Sequence, residues 1–254
     1  YQLDFDNIRK GPYLNVKSAI LVNYENGEVV YAKNPDTERS IASISKLVTA
    51  MVLLDSGIDL DRVTETITKA DARRSSRSRL RVGYEMTLRD LLHAALMNSD
   101  NRASRALARA VSGSIEEFAR EMNRKAKKLG LEHTVFYEPT GLDARNVSTA
   151  HEVAKILHYA FDYELIASIT SLKRYDCHVI NHNNRVVPMA NTNLLVHSRY
   201  DVLAGKTGYI RAADYCLTTL VKTNDGQRLT LVVLGAPWDR VRFREARKLL
   251  DWGV

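Results

Sequence analysis

The chain has 254 residues and a formal net charge of +7, with 37 Lys and Arg residues against 30 Asp and Glu residues. Its composition fits one compact folded unit, with no internal repeat, no low-complexity linker and no apolar stretch long enough to span a bilayer. These features argue against a repeat protein and against an integral membrane span. Nucleic acid is not an expected partner, because no recognition motif accompanies the basic residues.

A β-hairpin is predicted near the start of the chain. Residues 17–24 and 28–33 are rich in strand-forming residues, and the Asn26-Gly27 pair between them is a tight-turn signal. A helix is expected to begin near Ser43 and to end before Gly57, because apolar residues then recur at helical spacing at Leu47, Val48, Met51 and Leu54.

The first chemical motif lies at the start of this helix, in the sequence Ser43-Ile44-Ser45-Lys46. Ser43 and Lys46 are three residues apart and share a helix face, so a nucleophile and a base can meet. Backbone N–H groups of a buried first turn lack intrahelical partners and give half of an oxyanion hole. Lys46 acts as a base only if its pKa falls, which burial and a second cation such as Lys206 would promote. An isolated motif of this kind is more often a pair on a solvated helix face.

A basic segment follows, and we define it as Arg73–Arg81. It contains five arginines: Arg73, Arg74, Arg77, Arg79 and Arg81. Two interpretations stay open, a solvated loop or a surface that attracts an anionic polymer or an anionic membrane face.

The second motif is Ser99-Asp100-Asn101, a polar loop between two predicted apolar helices over residues 88–96 and 101–111. In a cleft wall, the Ser99 hydroxyl could pass a proton to a leaving amine and the Asn101 amide could hold a substrate backbone. The alternative is that Ser99 or Asp100 caps the following helix, and the two roles are compatible. Further helix starts are predicted from capping boxes at Ser114/Glu117 and Thr149/Glu152, with a helix stop at Gly130.

The third motif is Lys206-Thr207-Gly208, which precedes a predicted strand pair over residues 215–221 and 229–234 with a turn at 223–226. On an edge strand facing the cleft, Lys206 and the Thr207 hydroxyl can bind a carboxylate, and Gly208 allows close approach of a substrate backbone. The N–H of Tyr209 is a second potential oxyanion donor. Taken alone, this tripeptide is an ordinary turn, but three motifs in this order predict a serine acyl-transfer site.

With these motifs the sequence resembles the low-molecular-mass penicillin-binding proteins, the D-alanyl-D-alanine carboxypeptidases and D,D-endopeptidases. The resemblance covers nearly the whole chain and is closest to the short D,D-endopeptidase members. It extends to residues 42–51, 87–92, 139–142, 148–150 and 249–253. It implies that Ser43 attacks a D-Ala carbonyl, that Lys46 accepts its proton and that water hydrolyses the ester. β-Lactams would acylate the same serine, and no cofactor or metal is needed.

The resemblance implies an α/β (α+β) penicillin-binding/β-lactamase-like fold. Strands at both ends of the chain predict one antiparallel sheet flanked by helices, with a helical lobe inserted between them. We expect a single catalytic domain over residues 1–254, with the α/β part at about 1–55 and 200–254 and the helical lobe at about 56–199. The expected partners are peptidoglycan peptides and β-lactams, and the expected location is periplasmic or extracytoplasmic.

Two other functions were weighed. A class A β-lactamase needs a carboxylate base on a loop of the form Glu-x-x-Leu-Asn, whereas residues 138–143 here are Glu-Pro-Thr-Gly-Leu-Asp. We therefore expect Glu138 to serve loop structure. A penicillin sensor that binds without turnover would keep the same serine and cleft, so the sequence leaves it open.

The remaining polar residues carry weaker signals. Cys177 and Cys216 could form a disulfide, although Cys216 in an apolar strand is more often a buried thiol. Arg242 and Arg244 are alternative partners for a substrate carboxylate in the resemblance, and neither is preferred. Three histidines are expected on the surface or in loops: His178, His182 and His197.

Overall fold

The computed structural model describes residues 1–73, 78–183 and 185–253. Its main sheet has five antiparallel strands in the spatial order β2-β1-β11-β10-β9. These strands are β1 (Ser18–Asn23), β2 (Val29–Lys33), β9 (Asp201–Ile210), β10 (Asp214–Lys222) and β11 (Arg228–Ala236). The sheet therefore combines an N-terminal hairpin with three C-terminal strands, which confirms the predicted α/β fold built from both ends of the chain.

Among the described residues, three smaller two-stranded sheets accompany the main sheet. Their strands are β3 (Arg39–Ser40) with β6 (Val147–Ser148), β4 (Thr64–Thr66) with β5 (Glu85–Thr87), and β7 (Arg174–Val179) with β8 (Arg185–Ala190). The helices are α1 (Lys46–Asp55), α2 (Leu88–Met97), α3 (Asn101–Ser112), α4 (Ile115–Lys128), α5 (Ala150–Phe161), α6 (Glu164–Ser171) and α7 (Asp239–Gly253). Short 3₁₀ helices cover Ala42–Ser45 and Leu194–His197.

Both faces of the main sheet are covered, which explains why its strands are almost continuously hydrophobic. On one face, α7 packs against a cluster that includes Ala19 and Leu21 of β1. On the other face, α5 packs against β1, β9, β10 and β11, above Ile20 and Val22. The alternation of these four residues is that of a strand buried on both faces.

Helix α1 lies among helices rather than on the sheet. It packs against α2, α3, α4, α5 and α6, and every residue from Lys46 to Leu53 is buried. Its apolar character on all sides follows from this position. The boundaries near residues 55 and 200 stay a prediction, because α5 and α6, from the predicted lobe, also contact the sheet.

The predicted capping boxes form only in part. Ser114 and Thr149 accept hydrogen bonds from the backbone N–H groups of Glu117 and Glu152, as expected of N-caps. The carboxylates do not complete the boxes. That of Glu117 pairs with two arginines of its own helix, and that of Glu152 accepts from two backbone N–H groups and a threonine hydroxyl. Tertiary and surface partners therefore replace the reciprocal bond.

Candidate active site

The 3₁₀ turn Ala42–Ser45 carries Ser43, the predicted nucleophile, and we call it the nucleophile turn. Its backbone has an unusual conformation. Ala42, directly before Ser43, has a φ of 48°, in the left-handed region that non-glycine residues rarely adopt. Gly141 packs so tightly on this turn that a Cβ at its position would lie 1.9 Å from the Ala42 carbonyl oxygen. The loop that contains Gly141 thereby fixes the turn, and strain of this kind is typical of functional sites.

Lys46 lies one turn beyond Ser43 and is 1% exposed. Its Nζ lies 2.8 Å from Ser43 Oγ, 2.8 Å from Asn101 Oδ1 and 2.6 Å from the Thr140 carbonyl oxygen. Burial lowers the pKa of Lys46 to about 7, although the nearby carboxylates of Glu138 and Asp100 act in the opposite direction. The predicted pairing of Ser43 with Lys46 is thus present in the geometry.

Lys46 Nζ lies within donating distance of three acceptors, Ser43 Oγ, Asn101 Oδ1 and the Thr140 carbonyl oxygen, which match the three donors of a charged ammonium. A neutral amine has only two N–H donors and one lone pair. In that state the amide and carbonyl oxygens, which can only accept, take the two N–H groups, and the lone pair faces Ser43 Oγ. The pocket therefore accommodates both protonation states of Lys46, and the neutral one is arranged to accept a proton from Ser43.

The second motif lies between α2 and α3 and faces the third motif. Ser99 has a φ of 58°, and its Oγ accepts a hydrogen bond of 2.9 Å from Lys206 Nζ. Asp100 caps α3 through hydrogen bonds from the N–H groups of Arg102 and Ala103, so the capping interpretation is confirmed. Asn101 is the first residue of α3, and its Oδ1 accepts a hydrogen bond from Lys46 Nζ.

The third motif lies on β9, at the edge of the main sheet as predicted. Lys206 is 1% exposed, and its pKa is lowered well below the ordinary value by burial and then by the positive charges of Lys46 and Arg242. The charge of Lys46 contributes because a proton on one buried amine disfavours a proton on another nearby.

Gly208 brings the edge strand against the nucleophile turn. A Cβ at Gly208 would lie 2.9 Å from the Ile41 carbonyl oxygen and 3.0 Å from the Ser43 N atom. A larger residue would push the strand away from the turn. The next residue, Tyr209, is 51% exposed and stacks on Tyr215 with ring centroids 4.2 Å apart.

The loop over residues 138–143 supports the site without supplying a free base. The Glu138 carboxylate accepts hydrogen bonds from the N–H groups of Thr140, Gly141 and Asp143 and from the Thr140 hydroxyl. The expected loop role of Glu138 is confirmed. The contribution of the Thr140 carbonyl to the lysine pocket was missed, since a backbone carbonyl has no side-chain signature.

The structure distinguishes between Arg242 and Arg244 of α7. Arg242 is 7% exposed, and its Nη1 donates to the carbonyl oxygens of Gly208 at 3.1 Å and Cys216 at 3.3 Å. The Arg244 side chain is 63% exposed and pairs with Glu245. Arg242 is therefore the arginine attached to the strand of the third motif.

The other sequence expectations have mixed outcomes. Cys177 and Cys216 are free and buried, so they form no disulfide with each other. The three histidines noted above are exposed, as expected. In the basic segment, Arg73, Arg79 and Arg81 are exposed, whereas Arg74 and Arg77 lie outside the described residues.

Among residues 1–73, 78–183 and 185–253, no group of three or more His, Cys, Asp or Glu side chains is arranged to hold a metal ion. Within the same ranges, no helix has the length and apolarity that a membrane crossing requires.

Comparisons with known proteins place this geometry in a family. The family model described as D-alanyl-D-alanine carboxypeptidase matches residues 6–238. The chain is 37% identical over 243 residues to a D-alanyl-D-alanine endopeptidase of Escherichia coli K12, covering 95% of this chain and 78% of that protein. It is 37% identical over 237 residues to a D-alanyl-D-alanine endopeptidase of Pseudomonas aeruginosa, covering 92% and 76%.

Solved structures agree with the sequence relatives. The crystal structure of the Streptomyces K15 DD-transpeptidase is similar, with a TM-score of 0.89 and 28% identity over 96% of this chain and 99% of that one. The resemblance and the penicillin-binding fold predicted from the sequence are confirmed. The chain belongs to the D-alanyl-D-alanine carboxypeptidase family and is a serine peptidase that acts on peptidoglycan.

Proposed function

We propose that this protein cleaves D-alanyl peptide bonds in peptidoglycan through an acyl-enzyme on Ser43, with Lys46 as the general base. The observation that carries the proposal is the buried Lys46 amine, 2.8 Å from Ser43 Oγ, whose pKa of about 7 leaves about half of the molecules with a neutral amine at pH 7. A base with a pKa near the working pH is the efficient choice for proton transfer.

The acylation step can be balanced with these residues. Ser43 Oγ attacks the D-Ala carbonyl carbon while its proton moves to Lys46. The tetrahedral intermediate then collapses, the C–N bond breaks, and the Ser99 hydroxyl donates a proton to the departing nitrogen. Lys46 gives up its proton and Ser99 regains one, so the net change is one proton moved from Ser43 to the departing amine. In the second half, water attacks the ester carbon and passes a proton to the neutral Lys46. The ester C–O bond then breaks and the proton goes to Ser43 Oγ, which leaves free Ser43 and a carboxylic acid.

The binding roles follow from the same layout. We assign the backbone N–H groups of Ser43 and Tyr209 to the oxyanion, since Gly208 brings β9 against the nucleophile turn. Lys206 and Thr207 are assigned to the carboxylate of the leaving group. Asn101 uses Oδ1 for Lys46, so its NH₂ group is the one directed at a substrate carbonyl.

Within the family we favour D,D-endopeptidase activity on cross-links. The two relatives with 37% identity both carry that name, and the chain spans 78% and 76% of their lengths. Relatives named carboxypeptidase from Bacillus subtilis and E. coli are 35% identical, and the chain spans 61% and 62% of them. Terminal D-Ala removal is the second candidate.

Purified muropeptides, monomeric and cross-linked, separate the two activities. Conversion of dimers to monomers supports endopeptidase activity, whereas loss of D-Ala from monomers supports carboxypeptidase activity. Ser43→Ala should abolish both products. The control Ser56→Ala removes a hydroxyl that donates to the Leu53 carbonyl oxygen at the end of α1, and this variant should still form them. Products from the Ser43→Ala variant would contradict the proposal.

The muropeptide assay, together with a measurement of penicillin hydrolysis, distinguishes the peptidase from the two alternative functions. A penicillin sensor would form the acyl-enzyme but release no peptide product. A class A β-lactamase would hydrolyse penicillin rapidly, which we do not expect, because the Glu138 oxygens are occupied by donors of their own loop. Cross-linked muropeptides that stay uncleaved, together with fast penicillin turnover, would favour the β-lactamase.

We propose that the protein works outside the cytoplasm, where peptidoglycan lies. Attraction of the basic segment Arg73–Arg81 to an anionic cell-wall or membrane surface is also a proposal, supported by the exposure of Arg73, Arg79 and Arg81. Sedimentation with peptidoglycan sacculi and with anionic vesicles at rising salt tests it. If the protein sediments with neither sacculi nor vesicles, this role is excluded.

A further inference from the structure

Thr192 joins two motifs of the site that are far apart in sequence. Its N–H donates to the Met97 carbonyl oxygen at 3.0 Å, and its hydroxyl donates to the same oxygen at 3.3 Å. Its Oγ1 also lies 2.5 Å from Thr207 Oγ1. Met97 ends α2 two residues before Ser99, so Thr192 links the loop of the second motif to the strand of the third.

The segment around Thr192 is firmly held. Asn191 and Asn193 on either side are 7% and 1% exposed. The Asn191 side chain donates to the carbonyl oxygens of Thr170 and Leu172, and its own Oδ1 accepts from Asn193 N–H. Asn193 in turn accepts from Leu195 N–H. Thr192 is thus presented to the cleft by a rigid turn rather than a loose loop.

The two hydroxyls have two possible arrangements, because either threonine can donate across the short contact. When Thr192 donates to the Met97 carbonyl oxygen, which can only accept, Thr207 donates to Thr192. When Thr192 donates to Thr207 Oγ1 instead, the Thr207 proton is free for another acceptor. A carboxylate that accepts from Thr207 favours the second arrangement.

We propose that Thr192 is a positioning residue that orients and polarises the Thr207 hydroxyl for the leaving-group carboxylate. The inference rests on the proposed function, in which Thr207 binds that carboxylate. A hydroxyl that receives a hydrogen bond is a better donor, so the carboxylate contact is stronger in the two-hydroxyl chain than with Thr207 alone. In D-Ala and in penicillin alike, the carboxylate lies on the carbon attached to the departing nitrogen.

The test compares acylation by benzylpenicillin and by its methyl ester, which lacks the negative charge. Thr192→Val, which keeps the shape but removes the hydroxyl, should slow acylation by the free acid about fivefold, the worth of one net hydrogen bond, and change the ester rate less than about twofold. Thr192→Ser should restore the acid rate. Thr230→Val serves as the matched control. The Thr230 hydroxyl is buried in the main sheet, which also contains Thr207, and it has no hydrogen-bond partner among the described residues.

The outcomes separate the inference from the function. Equal slowing of acid and ester by Thr192→Val would show a structural role and overturn the inference, as would no slowing of either. If Thr192→Val does not fold, the Ser and Ala variants at the same position give the same comparison. A wild type that is acylated by penicillin but cleaves no muropeptide would refute the proposed peptidase activity and leave the result for Thr192 standing.

Discussion

The pH dependence of Ser43 acylation gives the strongest prediction from the lysine pocket. A lysine with the ordinary pKa of 10.5 would be neutral in only about one molecule in three thousand at pH 7. With burial lowering the pKa to about 7, about half of the molecules hold the neutral amine. Burial therefore raises the population of the active base by roughly three orders of magnitude.

The sign of the effect follows from the role of Lys46 as the proton acceptor. Acylation should be fast at high pH and fall about tenfold for each pH unit below 7, to roughly 1% of the plateau at pH 5. Stopped-flow measurement with a fluorescent penicillin between pH 5 and 9 gives the profile. We expect a single acid limb with its midpoint near 7.

The Asp100→Asn variant tests whether the acid limb of the pH profile comes from Lys46. The Asp100 carboxylate raises the pKa of Lys46, so its neutralisation should move the midpoint to lower pH. Asparagine keeps an acceptor for the cap of α3, so folding should be retained. Ser99→Ala, in contrast, should lower the plateau without moving the midpoint. A flat profile, or a midpoint near 10, would refute the reasoning.

Three further predictions concern the frame of the site. Gly141→Ala should destabilise the protein by more than ~3 kcal/mol in chemical denaturation and abolish acylation, whereas Gly130→Ala, with open space around it, should cost only about 1–2 kcal/mol; equal losses would contradict the packing argument. Both cysteines should resist a thiol reagent until the protein unfolds, because burial raises both pKa values; rapid labelling of the native protein would show otherwise. Ser114→Ala should lower the free energy of unfolding by about 1 kcal/mol through loss of the N-cap, whereas Glu117→Gln should leave the melting temperature nearly unchanged. A large effect of Glu117→Gln would show that the Glu117 carboxylate does complete the capping box.

Residues whose role depends on local spacing were predictable from the sequence. Ser43 and Lys46 meet because they are three residues apart, across the 3₁₀ turn and the first residue of α1, which places both side chains on one face. The strand pair that follows the third motif was predictable because its two apolar runs are separated by a clear turn. In both cases the information lies within about ten residues of the chain.

Features that depend on long-range packing were not predictable. The Thr140 carbonyl reaches Lys46 across 94 residues, and any residue could supply that carbonyl. Arg242 and Arg244 are chemically equal in the sequence, and only the rotation of α7 about its axis against the main sheet buries one of them. Glu152 fits a capping box, but three donors on a neighbouring segment bind it more effectively.

The identity of the acylated residue tests the central claim most directly. The wild-type protein is incubated with penicillin, digested, and mapped by tandem mass spectrometry. The adduct should lie on Ser43, and the Ser43→Ala variant, folded to the same melting temperature, should carry none. An adduct on Ser99 or any other residue, or persistent labelling of the variant, would contradict the account.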